Sequence, residues 1–107
     1  MWISLVEGFF SVVECADDSS RVAVRARVKG DLVALRQYVP TLGRIHAGRG
    51  TDYPYRSYVS KEEFAAGLAR AVVEGLRYRN YKGAVHVRDP RRAALLTQVW
   101  SILRGLE

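Results

Sequence analysis

The side chains in this sequence with the means to do chemistry are chiefly cationic, and they gather in two groups with aromatic residues set among them. Arg21, Arg25, Arg27 and Lys29 form the first, alternating with Val22, Val24, Ala26 and Val28, and only Ala23 interrupts the basic row. A period of two sends alternate side chains to opposite faces of a strand, so the stretch reads as a half-buried strand with one apolar face and one cationic ladder. Phe9 is expected beside the ladder, and Arg56 and Tyr58 share one side of a later strand, which would combine phosphate contacts with surfaces for base stacking. The second group is Arg77, Tyr78, Arg79, Tyr81 and Lys82, followed by Arg88, Arg91 and Arg92. Interleaved bases and tyrosines of this kind suit single strands or an acidic protein surface. The plainer alternatives are an ordinary solvated face for the first group and tyrosines folded back onto the core for the second. No acidic residue lies between Ser19 and Gly30, which favours a functional ladder, although no RNP-like aromatic pattern accompanies it.

Catalytic and metal chemistry find less support. Serine, histidine and carboxylates are all present, but no nucleophile elbow, phosphate loop or paired-histidine motif frames them. Gly48-Arg49-Gly50 reads as a turn. Cys15 has no second cysteine to pair with, and with only His46 and His86 besides, the usual Cys/His zinc spacings are missing. The expectation is a protein without catalytic residues, metal or cofactor.

The charge distribution points the same way as the two basic groups. Residues 1–20 hold four carboxylates and no Lys or Arg, while all 17 basic residues lie in the remainder against seven carboxylates, for a net charge of +6. A summed positive field of this kind attracts polyanions. A length of 107 residues suits one domain with a real core, and 49% hydrophobic with 26% charged residues is a globular composition. No apolar run approaches the roughly 20 residues that span a bilayer, and the first residues lack the form of a signal peptide, so a cytoplasmic protein with no membrane partner is expected.

Trp2–Val6 and Phe9–Cys15 are rich in β-branched and aromatic residues around Gly8, and predict one bent strand or two short ones. Ala16 to Ser20 is a turn into the basic strand. If Cys15 pairs with Arg21, Phe10 and Val12 share the core face with Val24 and Ala26, and Phe9 and Ser11 lie beside Arg25 and Arg27; a slip of one residue reverses this. Leu32, Leu35 and Val39 recur at helical spacing from Asp31, and Pro40 ends that helix. A weak strand over Arg44–Ala47, a turn, and a strand over Tyr53–Val59 follow.

Ser60 and Glu63 have the spacing of a capping box, and open a helix buried through Phe64, Leu68, Ala71 or Val72, and Leu76. Gly67 and Gly75 within it point to close packing on the sheet or to fraying. Arg77–Gly83 reads as a polar connection and Ala84–Arg88 as extended. Asp89-Pro90 then marks the cap and first turn of a last helix reaching about Gly105. Its Leu95, Val99, Ile102 and Leu106, with Leu96, Trp100 and Leu103 beside them, predict substantial burial. The halves repeat faintly, each strand, strand, helix. The predicted class is therefore α+β: a mainly antiparallel sheet with helices on one face, in the order ββαββα plus a C-terminal helix.

Trp2-Ile3-Ser4, Gly8-Phe9-Phe10-Ser11-Val12-Val13, Asp52-Tyr53-Pro54-Tyr55-Arg56, Tyr78-Arg79-Asn80-Tyr81-Lys82 and Val99-Trp100 together make the chain look like a group of small uncharacterised bacterial proteins of about this length. The resemblance covers the whole chain, with Tyr81 where the group has Phe. It implies a shared fold and no activity.

The leading expectation is a non-enzymatic module whose basic surface engages nucleic acid or a ribonucleoprotein, as a regulator or as a mobile-element inhibitor of host defence. The alternative is an interaction domain that meets an acidic protein surface or a second copy of itself, through a strand edge or the Trp100 helix. A small enzyme with an unrecognised site comes third.

Overall fold

Period-two patterning in the first part of the sequence becomes a five-stranded antiparallel sheet in the computed structural model, which describes residues 1–107. The chain divides into two compact units, Met1–Leu76 and Arg77–Glu107. The first holds β1 (Trp2–Leu5), β2 (Gly8–Glu14), β3 (Arg21–Ala26), α1 (Lys29–Leu35), β4 (His46–Ala47), β5 (Tyr55–Ser60) and α2 (Lys61–Arg70), with the strands ordered β1-β2-β3-β5-β4 across the sheet. The α+β class is as predicted, and within this unit α1 and α2 cover one face of the sheet. The N-terminal stretch is two strands rather than one bent one, so three strands precede the first helix.

The register follows from which face must be dry. Cys15 N donates to Arg21 O at 3.0 Å, and Val12 lies opposite Val24, which puts Phe10, Val12, Val22, Val24 and Ala26 on one face. With Val59 of β5, these residues pack against Leu32 and Leu35 of α1 and Phe64 of α2 in a single core. At the β2–β3 turn, the Ser20 hydroxyl and amide both donate to Asp18 Oδ1, at 2.6 and 2.9 Å. These bonds, the hydroxyl's first, hold the Asp18 carboxyl below its ordinary pKa, with Arg21 adding to the effect.

Several boundaries differ from the pattern-based expectation. The basic strand stops at Ala26: Val28 is exposed and Lys29 already belongs to α1, so neither extends the two-faced strand. The helix predicted over Asp31–Val39 runs over Lys29–Leu35 instead, because Arg36, Gln37 and Tyr38 bond back to carbonyls three residues earlier. That tighter winding swings Tyr38 and Val39 inward, and both are buried. They receive Gly67 and Gly75: a Cβ on Gly67 would fall on Val39 Cγ2 and one on Gly75 on Tyr38 Oη. The two glycines thus serve close packing against Tyr38 and Val39 rather than against the sheet.

Ser60 caps α2 as its spacing requires, its Oγ accepting from Glu63 N at 3.1 Å. Replacing Ser60 by Ala strands that amide and is expected to cost about 1 kcal/mol in urea unfolding. After Arg70 the helix widens into one π-helical turn, Ala71–Gly75, of which Ala71 is buried. Val72 and Leu76, expected in the buried stripe, are exposed: the wider turn rotates later side chains off the face that Phe64 defines.

The second unit is a pair of helices, α3 (Tyr81–Arg88) and α4 (Pro90–Leu103), ending in a 3-10 turn over Arg104–Leu106. Asn80 caps α3 through Gly83 N at 3.0 Å, and Asp89 caps α4 through Arg92 N at 3.1 Å. The extended reading of Ala84–Arg88 is wrong. Its alternating Val85 and Val87 imitate a strand, but Asn80 supplies a cap, and packing on α4 supplies what an eight-residue helix lacks in isolation. The predicted burial of α4 is also wrong. Ala93 is its buried residue and Leu96 is half-buried, while Leu95, Val99, Trp100, Ile102, Leu103 and Leu106 are exposed. Apolar residues cover about half the circumference of α4, and one short neighbour reaches only part of it.

Candidate nucleic-acid interface

The sheet face opposite α1 and α2 carries the first basic group, and the register places its side chains in one transverse row. Trp2 of β1 lies opposite Ser11 of β2, Ser11 opposite Arg25 of β3, Arg25 opposite Arg56 of β5, and Arg56 opposite His46 of β4. Residues directly opposite in a ladder share a face, so one row crosses all five strands, a span of about 19 Å at the usual interstrand spacing.

An aromatic pair stands at each end. Trp2 and Phe9 meet edge to face with centroids 5.6 Å apart, and His46 and Tyr58 do the same at 5.9 Å. Between them sit the guanidiniums. Arg25 Nη2 donates to Ser11 Oγ at 2.8 Å, and its Cζ lies 5.1 Å from the centre of the Tyr53 ring. Arg27 stacks on the same ring at 4.9 Å and donates to Asp52 O at 3.0 Å. Tyr53 is buried, and so gives both cations a fixed base. None of Arg25, Arg27 and Arg56 is paired with a carboxylate. Arg25 and Arg27 are held in place by these contacts, Arg56 stands directly opposite Arg25, and the three, without neutralisation, make an anion-attracting strip between two stacking platforms.

Among the sequence candidates, Arg25, Arg27, Arg56 and Tyr58 come together here. Arg21 shares their side of β3 at its far end, opposite Ser60, and Lys29 is removed to the start of α1. Trp2, His46 and Tyr53 belong to the site without having been singled out for it. The hairpin register would have revealed Trp2, which shares a face with Ser4 and with Ser4's partner Phe9. Nothing in local composition marks His46 or Tyr53: His46 reaches the row only by pairing with Arg56, and Tyr53 only by lying under the guanidiniums of Arg25 and Arg27.

The second basic group lies in residues 77–107. Tyr78 and Tyr81 have ring centroids 5.9 Å apart, and Lys82 Nζ lies 4.4 Å from the centre of Trp100, with Arg104 at 5.6 Å. Arg77 and Arg79 precede α3 and Arg88 ends it, while Arg91 and Arg92 open α4. Arg92 Nε stands 3.7 Å from Asp89 Oδ2. An open groove of about 410 Å³ passes between Lys82 and His86 on one side and Ala93 and Thr97 on the other. Its Thr97 hydroxyl is bonded to Ala93 O and no carboxylate lines it, so His86 lacks the acid and free hydroxyl that acyl transfer would need.

No group of three or more His, Cys, Asp or Glu side chains converges on a point that a metal ion would occupy, and no helix is long and apolar enough to cross a membrane. No protein-family model, curated protein or solved structure matches the chain.

Proposed function

We propose that the protein binds single-stranded nucleic acid on the open face of its sheet, laying the strand along the row from Trp2 to His46. The observation that carries this reading is the set of carboxylate-free guanidiniums of Arg25, Arg27 and Arg56 between two aromatic pairs. Phosphates meet the arginines, and bases stack on Trp2 or Phe9 at one end and on Tyr58 or His46 at the other. Every base has a π face, so this recognition tolerates sequence. A row of about 19 Å accommodates two or three stacked bases, as other nucleic-acid-binding sheets do. A duplex keeps its bases paired inside and offers phosphates alone, so it binds more weakly.

Fluorescence anisotropy with labelled oligo(dT), oligo(U) and a DNA duplex, across a salt series, tests this. The single strands are expected to bind more tightly than the duplex, and with two or three phosphates neutralised log K should fall against log salt with a slope of roughly −2. Absence of binding at about 50 mM salt sinks the proposal. Equal affinity for duplex and single strand removes the stacking role and leaves only a basic surface.

A further inference from the structure

We propose that the unit Arg77–Glu107 holds a second stretch of the strand that the sheet binds, in the groove between α3 and α4, with phosphates on Lys82 and Arg104. The inference rests on the reading of the sheet as a single-strand site. Charge directs it to this unit. Residues 77–107 hold seven Lys or Arg against two carboxylates, and so carry +5 of the chain's net +6. A polyanion drawn to the protein is therefore drawn chiefly here.

Neither carboxylate offsets the charge at the groove. Asp89 accepts from Arg92 N and stands 3.7 Å from Arg92 Nε, and Glu107 follows the 3-10 turn beyond α4. Lys82, His86 and Arg104 have no ion-pair partner. Along α4, Ala93, Thr97 and Trp100 recur at intervals of four and three, with Arg104 four further on, so they share one side of the helix. Ala93, which is buried, and Thr97 line the groove opposite Lys82 and His86 of α3. Lys82 also lies 4.4 Å from the centre of the Trp100 ring, which Arg104 approaches to 5.6 Å, so the indole gathers two cations beside the groove. Two cations drawn to one ring with no acid among them repel each other, and a phosphate taken between them replaces that repulsion with attraction to both.

The rest of the groove suits a nucleotide better than a bare anion. Its volume of about 410 Å³ is in the range of small-molecule sites, and Gly83, Pro90, Ala93 and Ala94 give it an apolar wall for the face of a base. Asn80 Oδ1 accepts from Gly83 N, which leaves the side-chain amide nitrogen to donate to a base edge, and the ring of His86 adds a further polar group. Only residues 76–80 lie between the π-helical turn and α3, so once the sheet has taken a strand the second contact is intramolecular. A flexible strand makes that contact without requiring a fixed angle between the units.

Anisotropy on the full chain with oligo(dT) of about 4 and about 20 nucleotides separates the two contacts, since the shorter fills the sheet row alone and the longer reaches both. Lys82→Gln with Arg104→Gln removes both charges and keeps long side chains on Trp100; it should weaken the 20-mer about 100-fold and leave the tetramer and the circular dichroism unchanged. The parent alone supplies a second measure. Its log K for the 20-mer should fall with log salt more steeply than for the tetramer, by roughly 1.4 for two further phosphates. A tetramer that does not bind sinks the reading of the sheet, and this inference with it. If the tetramer binds, equal salt slopes, or a 20-mer as tight on the folded double variant as on the parent, overturn this inference alone. Oligo-glutamate of equal charge that abolishes the advantage of the 20-mer as effectively as a second oligo(dT) also overturns it, and assigns the groove to an acidic protein.

Discussion

Glutamate at both Arg25 and Arg56 is expected to weaken single-strand binding about a thousandfold, since two charge-assisted contacts worth ~1.5–3 kcal/mol each disappear and two like charges replace them. The protein should remain folded. Arg56 has no hydrogen-bond partner that its loss would strand, but Arg25 does: Ser11 is buried, and its hydroxyl accepts from Arg25 Nη2 at 2.8 Å. The double variant should thus lose about 1–3 kcal/mol of stability as well. Arg25→Gln separates the two effects, because an amide can still donate to Ser11 while the charge is gone; it should bind weakly at nearly full stability. Trp2→Ala probes the stacking half of the mechanism. Trp2 is 73% exposed, so its removal costs little in folding, yet a base stacked there is worth ~1–3 kcal/mol of binding. Unfolding measured beside anisotropy on the same samples decides the matter. Folded variants that bind as tightly as the parent would show that this face is merely solvated and that the charge serves solubility.

The second large effect concerns a glycine that helix propensity alone would judge wrongly. Gly67 lies inside α2, where Gly→Ala ordinarily stabilises by about 1 kcal/mol. Here the new methyl would fall on Val39 Cγ2 and stand 2.9 Å from Tyr38 O. Because the latter is backbone, a side-chain rotation cannot relieve the clash. Overpacking of a tight core costs ~1–3 kcal/mol and sometimes more, so Gly67→Ala should be destabilising by about 2 kcal/mol, a fall of roughly 10 °C in Tm. Gly83→Ala is the control. It too is helical, but its nearest neighbour would be Asn80 Cγ at 3.4 Å, an ordinary contact, and it should gain up to about 1 kcal/mol. If Gly67→Ala also stabilises, α2 does not press on Tyr38 and Val39 as closely as described.

Patterning by itself determined the α+β class, the hairpin into the basic strand with its faces given the pairing of Cys15 with Arg21, and two of the three side-chain helix caps, Ser60 and Asp89. These are local matters: alternation within a strand sorts side chains by face, and a cap needs only a side chain three residues from the amide it accepts from. Asn80 has the same chemistry, yet Gly83 and the alternating valines of α3 outweighed it, and only contact with α4 settles that segment as helix. Nor did the sequence reveal that the apolar residues of α4 lie mostly in water, since periodicity shows that a helix has an apolar face without showing what covers it.

The candidate site divides along the same line. Arg25, Arg27, Arg56 and Tyr58 were legible, because alternation places them on the side of each strand that the core does not use. Their union with Trp2, Tyr53 and His46 was decided by the tertiary structure alone. Strand order β1-β2-β3-β5-β4 sets Arg25 opposite Arg56, 31 positions away in the chain, and so joins the two ends of the row. A row across a sheet is a property of register between strands, and register between distant strands is chosen by the shared core beneath them, to which every strand contributes and which no single stretch encodes.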